Sequence, residues 1–269
     1  MNYFVSPTSI VRRIWGSADT VLFIFAGAAA EFALNNAVDW LYFTGRLPAD
    51  PLGRLFSTVD YARRIVFADQ RGAEQTIDAI AAIHGAVEAR RRQTIPAWAF
   101  RDVLFMLIAY SIRAFEVLER PLTLLEREEV VDVFCRMGLR MGIPELPDTY
   151  ATWLVAREAH LAANLTASAY TADLYRQYRK HLGGPRYWML RAVQGLVVPP
   201  PVRHLLRLPS APWLRPALAL YRGTKQLAIS QWAKNAMLPT EYQARILALN
   251  HEPASLRPTC PYHHVSGRA

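Results

Sequence analysis

From residue 8 to residue 249 the apolar positions of this chain recur at three- and four-residue spacing, and no window of strict alternation persists. That period belongs to helices that bury one stripe, not to strands. The pattern predicts helices over about 8–15, 19–36, 97–119, 124–141, 149–165, 168–181, 186–196, 213–236 and 240–249, with a further pair between Asp50 and Val87. Breakers separate them: the Phe43–Pro51 loop, Pro96, Pro144 and Pro147, Gly183-Gly184-Pro185, the Pro199–Pro201 run and Pro239. Two starts carry explicit capping signals. Asp50 precedes Pro51 at a helix opening, and Thr123 with Glu126 forms a capping box. The fold class is all-α.

The Asp50–Val87 pair organises the rest. On its first helix Arg54, Thr58 and Tyr61 fall at i, i+4, i+7 and share a face. On its second, Ile77, Ile80, His84 and Val87 form one buried stripe, which runs on to Arg90, Arg91 and Arg92, cations suited to a helix C-terminus. The 97–119 helix holds Val103–Tyr110, apolar nearly all round, so it belongs at the centre. Its Trp98, Met106 and Tyr110 make a wall that suits a pocket or an ordinary core equally. Val21–Leu34 is apolar except for Glu31. At 14 residues it falls short of the roughly 20 needed to cross a bilayer. It reads as a buried helix, with peripheral membrane contact left open.

Composition narrows the class. With 52% hydrophobic and 20% charged residues, the 269-residue chain can bury a large core and is not of disordered type. The net charge of +9 is scattered in short arginine clusters without a long run, which argues against nucleic-acid binding. Cys135 and Cys260 fit no thiolate metal pattern; Cys135 reads as a small core residue. The first dozen residues lack a secretory pattern, so a cytoplasmic location is expected. No linker splits the chain. Residues 1–251 form one helical domain, and 252–269 read as an extended or disordered tail.

His84 is the notable chemical feature, as a lone histidine on an apolar stripe. Spacing alone favours a core histidine with a satisfied hydrogen bond over a ligand. His160 and His181 sit among polar neighbours, His204 follows a proline run, and His251, His263 and His264 lie at or beyond the last helix.

PLGRLFST (Pro51–Thr58), followed by IHGAV (Ile83–Val87), resembles the latex-clearing protein (rubber oxygenase) and MpaB-type oxygenase family. MGIPELPDTY (Met141–Tyr150), VVPPPVRHLL (Val197–Leu206) and LPTEYQARIL (Leu238–Leu247) resemble its later segments in the same order. The resemblance implies a helical haem b domain of ten or more helices enclosing a haem pocket. It implies His84 as ligand to the haem iron, with Arg54 and Thr58 on the distal side. Arginine there can stabilise negative charge building on oxygen or peroxide, and the threonine hydroxyl can donate or relay a proton. Against these roles stand an Arg54 salt bridge to Asp50 or Asp60, and a Thr58 hydroxyl bonded to its own preceding turn.

Two departures from the family stand out. Ser57 occupies the position where latex-clearing proteins carry a distal lysine, which predicts a distal site that is open or holds water. The family's histidine-proline pair is replaced by Leu34–Trp40. Asp39, 15 residues before Arg54, is the nearest acid to the family's catalytic base and is carried over one residue out of register. The expected function is a haem b oxygenase or peroxygenase that uses dioxygen or peroxide on an apolar small molecule. The alternative is a non-enzymatic haem-carrying or lipid-binding protein.

Overall fold

Side-chain caps set most of the helix starts. In a computed structural model describing residues 2–45, 50–224 and 249, eleven helices lie among the described residues. They are α1 (Ile10–Trp15), α2 (Ala18–Phe32), α3 (Val38–Phe43), α4 (Pro51–Phe67), α5 (Gln70–Arg91), α6 (Ala97–Leu118), α7 (Leu124–Arg140), α8 (Tyr150–Asn164), α9 (Ala169–Val197), α10 (Pro200–Leu205) and α11 (Leu214–Thr224). Asp50 caps α4 by accepting from the Gly53 amide at 2.7 Å. A Cβ at Gly53 would sit 1.9 Å from that carboxylate, so the cap requires glycine there. Thr123 and Glu126 form the expected reciprocal box at α7 (3.2 and 2.9 Å). Thr149 caps α8 through the Thr152 amide at 3.2 Å.

The differences from the expected boundaries have local causes. The second helix ends at Phe32, not residue 36, because Asn35 turns the chain. Its Oδ1 accepts from the Ala37 amide at 2.8 Å, while its Nδ2 donates to Asp102 at 2.7 Å. Two six-residue helices were not legible as helices. α3 has no side-chain cap, and α10 begins on prolines that the first turn tolerates. The Gly183 break is a kink within α9, at φ 73°, a conformation glycine adopts without strain. Residues 225–248 and the 252–269 tail lie outside the described residues.

α2 and α6 form the central packing. A Cβ at Gly27 would come 2.2 Å from the Tyr110 ring, so the two backbones approach as closely as they do only because residue 27 has no side chain. That approach lets the Tyr110 hydroxyl donate to Glu31 Oε2 at 2.7 Å. Arg157, from α8, donates to both carboxylate oxygens of Glu31, at 2.6 Å on Oε1. Glu31 is 1% exposed. Burial and the neighbouring carboxylate push the Tyr110 phenol well above its ordinary value. A second buried set adjoins the first. Asp102 accepts from Asn35 and from Asn164 (2.9 Å) and bonds His160 Nδ1. Cys135 is buried as expected, its thiol pushed up to about 11 by burial. No described helix is long and apolar enough to cross a membrane.

Removing the Glu31 carboxylate leaves a buried guanidinium without its partner, which costs about 3–5 kcal/mol. Glu31→Ala is therefore expected to lower the unfolding free energy by that amount, read as a fall in the urea midpoint at an unchanged m-value. A loss under about 1 kcal/mol would show that the pair does not close the core.

Candidate functional site

α4 and α5 are joined through Ala68 and Asp69 alone and pack against each other as an antiparallel hairpin. In such a pair, residues equally distant from the turn lie level, since each helix rises 1.5 Å per residue. Residue 54 therefore comes level with residue 83, next to His84, and residue 58 with residue 79. Spacing in the sequence and connection length together put the arginine across from the histidine.

The hairpin is anchored at its turn end. Val59, Ala62, Ile65 and Val66 of α4, with Ala73 and Ile77 of α5, are buried in the main core. The Arg63 guanidinium, also buried, donates to the carbonyls of Trp15 and Leu249, the latter at 2.6 Å. Toward the other end the burial of α5 fades. Ile80, His84 and Val87 are only partly covered, so the predicted stripe is fully enclosed at Ile77 alone.

His84 sits in that looser half with an unusual environment. Its Nδ1 is enclosed and has no hydrogen-bond partner among the described residues. The Phe100 ring, from the first turn of α6, lies 5.1 Å away, centroid to centroid. Burial first, and the positive charge of Arg54 second, lower the His84 pKa to about 4, against a smaller opposing effect of Glu88. The imidazole is thus held neutral. The satisfied core histidine anticipated as the plain alternative does not describe Nδ1.

The other expected residues are placed as follows. Arg54 is half-buried and close enough to His84 to act on its charge. The Thr58 hydroxyl donates to the Arg54 carbonyl at 3.3 Å, the within-helix bond. Ser57 likewise bonds back, to Gly53 at 3.0 Å. Asp39 of α3 pairs with Arg91 at 2.6 Å. Arg91 also lies over the Trp40 ring, 3.9 Å from its centroid. Arg91 follows His84 by seven residues, so this pair meets the same face of α5 about two turns further on. Residues 39, 54, 58 and 84 therefore belong to one end of the hairpin.

A neutral imidazole with an uncommitted nitrogen, beside a guanidinium, is a donor set suited to holding a haem iron next to an anion-stabilising group. No group of three metal-ligating side chains occurs among the described residues. A haem needs only one histidine, so the residues present fit it. The surrounding architecture is a helical domain with a site at the open end of a helical hairpin. The chain belongs to the family described as the ER-bound oxygenase mpaB/B′ and rubber oxygenase catalytic domain, which it matches over residues 12–228. No curated protein and no solved structure matches it.

Sequence reasoning missed the Glu31–Tyr110–Arg157 and Asp102–His160 sets. An acid set among apolar neighbours in each of two helices, Glu31 and Asp102, was the available signal. Their partners lie 126 and 58 residues away, beyond any periodicity.

The low pKa of His84 sets a sign for acid sensitivity in the cofactor-free protein. An unfolded histidine titrates near about 6.5. The folded one titrates near about 4, so between these values the unfolded chain binds more protons. The contribution to stability is complete above about pH 6.5 and is lost as pH falls toward about 4. His84→Leu is expected to remove about 2–3 kcal/mol of the fall in stability between those limits. Urea titrations of both proteins across this range check it. Parallel curves would mean that His84 is solvated.

Proposed function

We propose that this member of an oxygenase catalytic-domain family is a haem b oxygenase or peroxygenase in which His84 ligates the iron. One observation carries the reading. The single histidine in the family's R-x-x-x-T…H-x-x-V register is also one that burial keeps neutral while its Nδ1 bonds nothing. A protonated imidazole cannot ligate iron, and a ring nitrogen already engaged in a hydrogen bond would have to give that bond up. His84 has neither obstacle.

When bound, the haem supplies the redox bond-making. The chain supplies polarity and position. The Arg54 guanidinium offers a fixed positive charge close to His84, able to stabilise negative charge that builds on the oxidant. The Thr58 hydroxyl holds its proton on the Arg54 carbonyl through a long bond. Such a bond exchanges readily for a better acceptor, which suits a donor or proton relay. Phe100 fixes the ring plane of His84 by packing. Ser57, whose hydroxyl donates to the Gly53 carbonyl, would offer a bound haem no ligand in place of the lysine. The base role carried over to Asp39 requires its pair with Arg91 to open. The apolar helix faces favour a small apolar substrate over a charged one.

A second reading keeps the haem and drops the turnover. It draws on the Ser57 hydroxyl turned into its own helix and on the engaged Asp39 carboxylate. The protein would then carry haem or lipid.

Haemin titration separates the possibilities. The wild-type chain is expected to develop a Soret band that His84→Ala loses. Thr58→Val should keep the band but reduce peroxide-dependent oxidation of a dye such as guaiacol by about a hundredfold, the lower end for a lost proton donor. A wild type without a Soret band, or a band indifferent to His84, refutes the ligand assignment. A normal band with no oxidation in the wild type selects the carrier.

A further inference from the structure

Charge is distributed unevenly along the chain. Between residues 174 and 240 there are eleven Lys and Arg side chains and no Asp or Glu. The rest holds 20 basic and 22 acidic residues, so the whole net charge of +9 arises from this one stretch. The described part of it builds a continuous face from the second half of α9, α10, the 206–213 loop and α11. The loop lies directly on α9, since a Cβ at Gly195 would come 2.4 Å from the Pro209 carbonyl oxygen. Arg191 pins it by donating to the carbonyls of Leu206 (3.2 Å) and Arg207 (2.9 Å).

That face is also apolar where a solvated surface would not be. Trp188 and Trp213 stack with centroids 5.2 Å apart and ring planes within 3°. They are nonetheless 54% and 41% exposed. On α11 and the residue before it, Trp213, Pro216, Ala217 and Leu220 fall at i, i+3, i+4, i+7, and all are exposed, Leu220 at 69%. A helix normally turns such a stripe to the core. Beside it, Arg203, His204 and Arg207 border an open depression with Pro200 and Leu208.

We infer that this face docks on an anionic phospholipid surface, with the tryptophan pair and the outward stripe of α11 seated at the headgroup level and the arginines on lipid phosphates. Tryptophan prefers that interface, and an amphipathic helix rich in arginine lies in its plane. The absence of acidic residues from this stretch supplies the charge complementarity, because each cation near such a surface contributes while each anion would oppose, and Asp19, a carboxylate that does meet α11, accepts from the Tyr221 hydroxyl. Outward leucine and proline at helical spacing favour lipid over nucleic acid, which would stack bases on the rings but leave the aliphatic stripe in water. The inference stands apart from the cofactor reading.

Co-sedimentation of the full chain tests it, with vesicles of phosphatidylcholine containing about 25% phosphatidylserine against phosphatidylcholine alone. The protein is expected to bind the anionic vesicles at least about tenfold more tightly. Arg203→Gln with Arg207→Gln should weaken that binding about 25-fold, at about fivefold per charge. Trp188→Ser with Trp213→Ser should weaken it at least about tenfold. All four side chains are exposed, and an unchanged far-ultraviolet dichroism spectrum confirms folding of each variant. No binding to anionic vesicles overturns the inference, as does wild-type binding by either double variant. Tighter binding of a single-stranded oligonucleotide that both variants lose, with vesicle binding unaltered, identifies a nucleic-acid face instead and equally overturns it.

Discussion

A carboxylate inside an apolar helix is the constraint around which the fold closes. Glu31 cannot leave water without a partner, because an isolated buried ion costs several kcal/mol even after relaxation. Arg157 and Tyr110 meet that demand from two other helices. The contact forces α2, α6 and α8 into one arrangement, which in turn requires Gly27 to be bare so that the Tyr110 ring can pass. Hydrophobic burial alone would tolerate many rotations of α2 against α6. A hydrogen-bonded ion pair tolerates one, since every misaligned packing leaves a charge unsatisfied.

The candidate site lies away from that rigid centre. The α4–α5 hairpin is gripped by the core at its turn end, and α4 also at its start through Leu52 and Phe56, whereas the burial of α5 fades toward His84. Fewer buried contacts at that end mean a lower cost of local opening. The ring of His84 is nonetheless constrained by Phe100, and the Asp39–Arg91 pair ties α3 across the helix beyond it.

Much of this was legible in the sequence because it is local. The caps at Asp50 and Thr123 announce themselves within four residues. The arginine and histidine motif needs only helix spacing and a short turn to become a juxtaposition in space. What was hidden is what depends on long-range pairing. Asn35 ends α2 early because its side chain is drawn to Asp102, a residue 67 positions on. The within-helix bonds of Ser57 and Thr58 were foreseeable alternatives, whereas the enclosed, unbonded Nδ1 of His84 follows only from how the helices pack. α3 and α10 escaped because six residues carry less than two turns of periodicity.

His160 is the proper rival to His84, since carboxylate-held imidazoles are how many metal ligands are oriented. Its surroundings argue otherwise. Asp102 takes its Nδ1, Phe105 packs on its ring at 5.1 Å between centroids, and the same carboxylate also receives Asn35 and Asn164. Those bonds join the end of α2 to α8 and α6, where the Asn36 amide also donates to the Asn164 carbonyl and the Thr166 amide to the Leu34 carbonyl. Every partner of His160 is a fold contact whose loss would open a helix junction. His84 holds no such junction, because its enclosed Nδ1 bonds nothing among the described residues and the charge that acts on it most strongly is an arginine that disfavours protonation. On the reading proposed above, the nitrogen that the packing encloses and leaves unbonded is the one available to a ligand, whereas that of His160 is taken up by the fold.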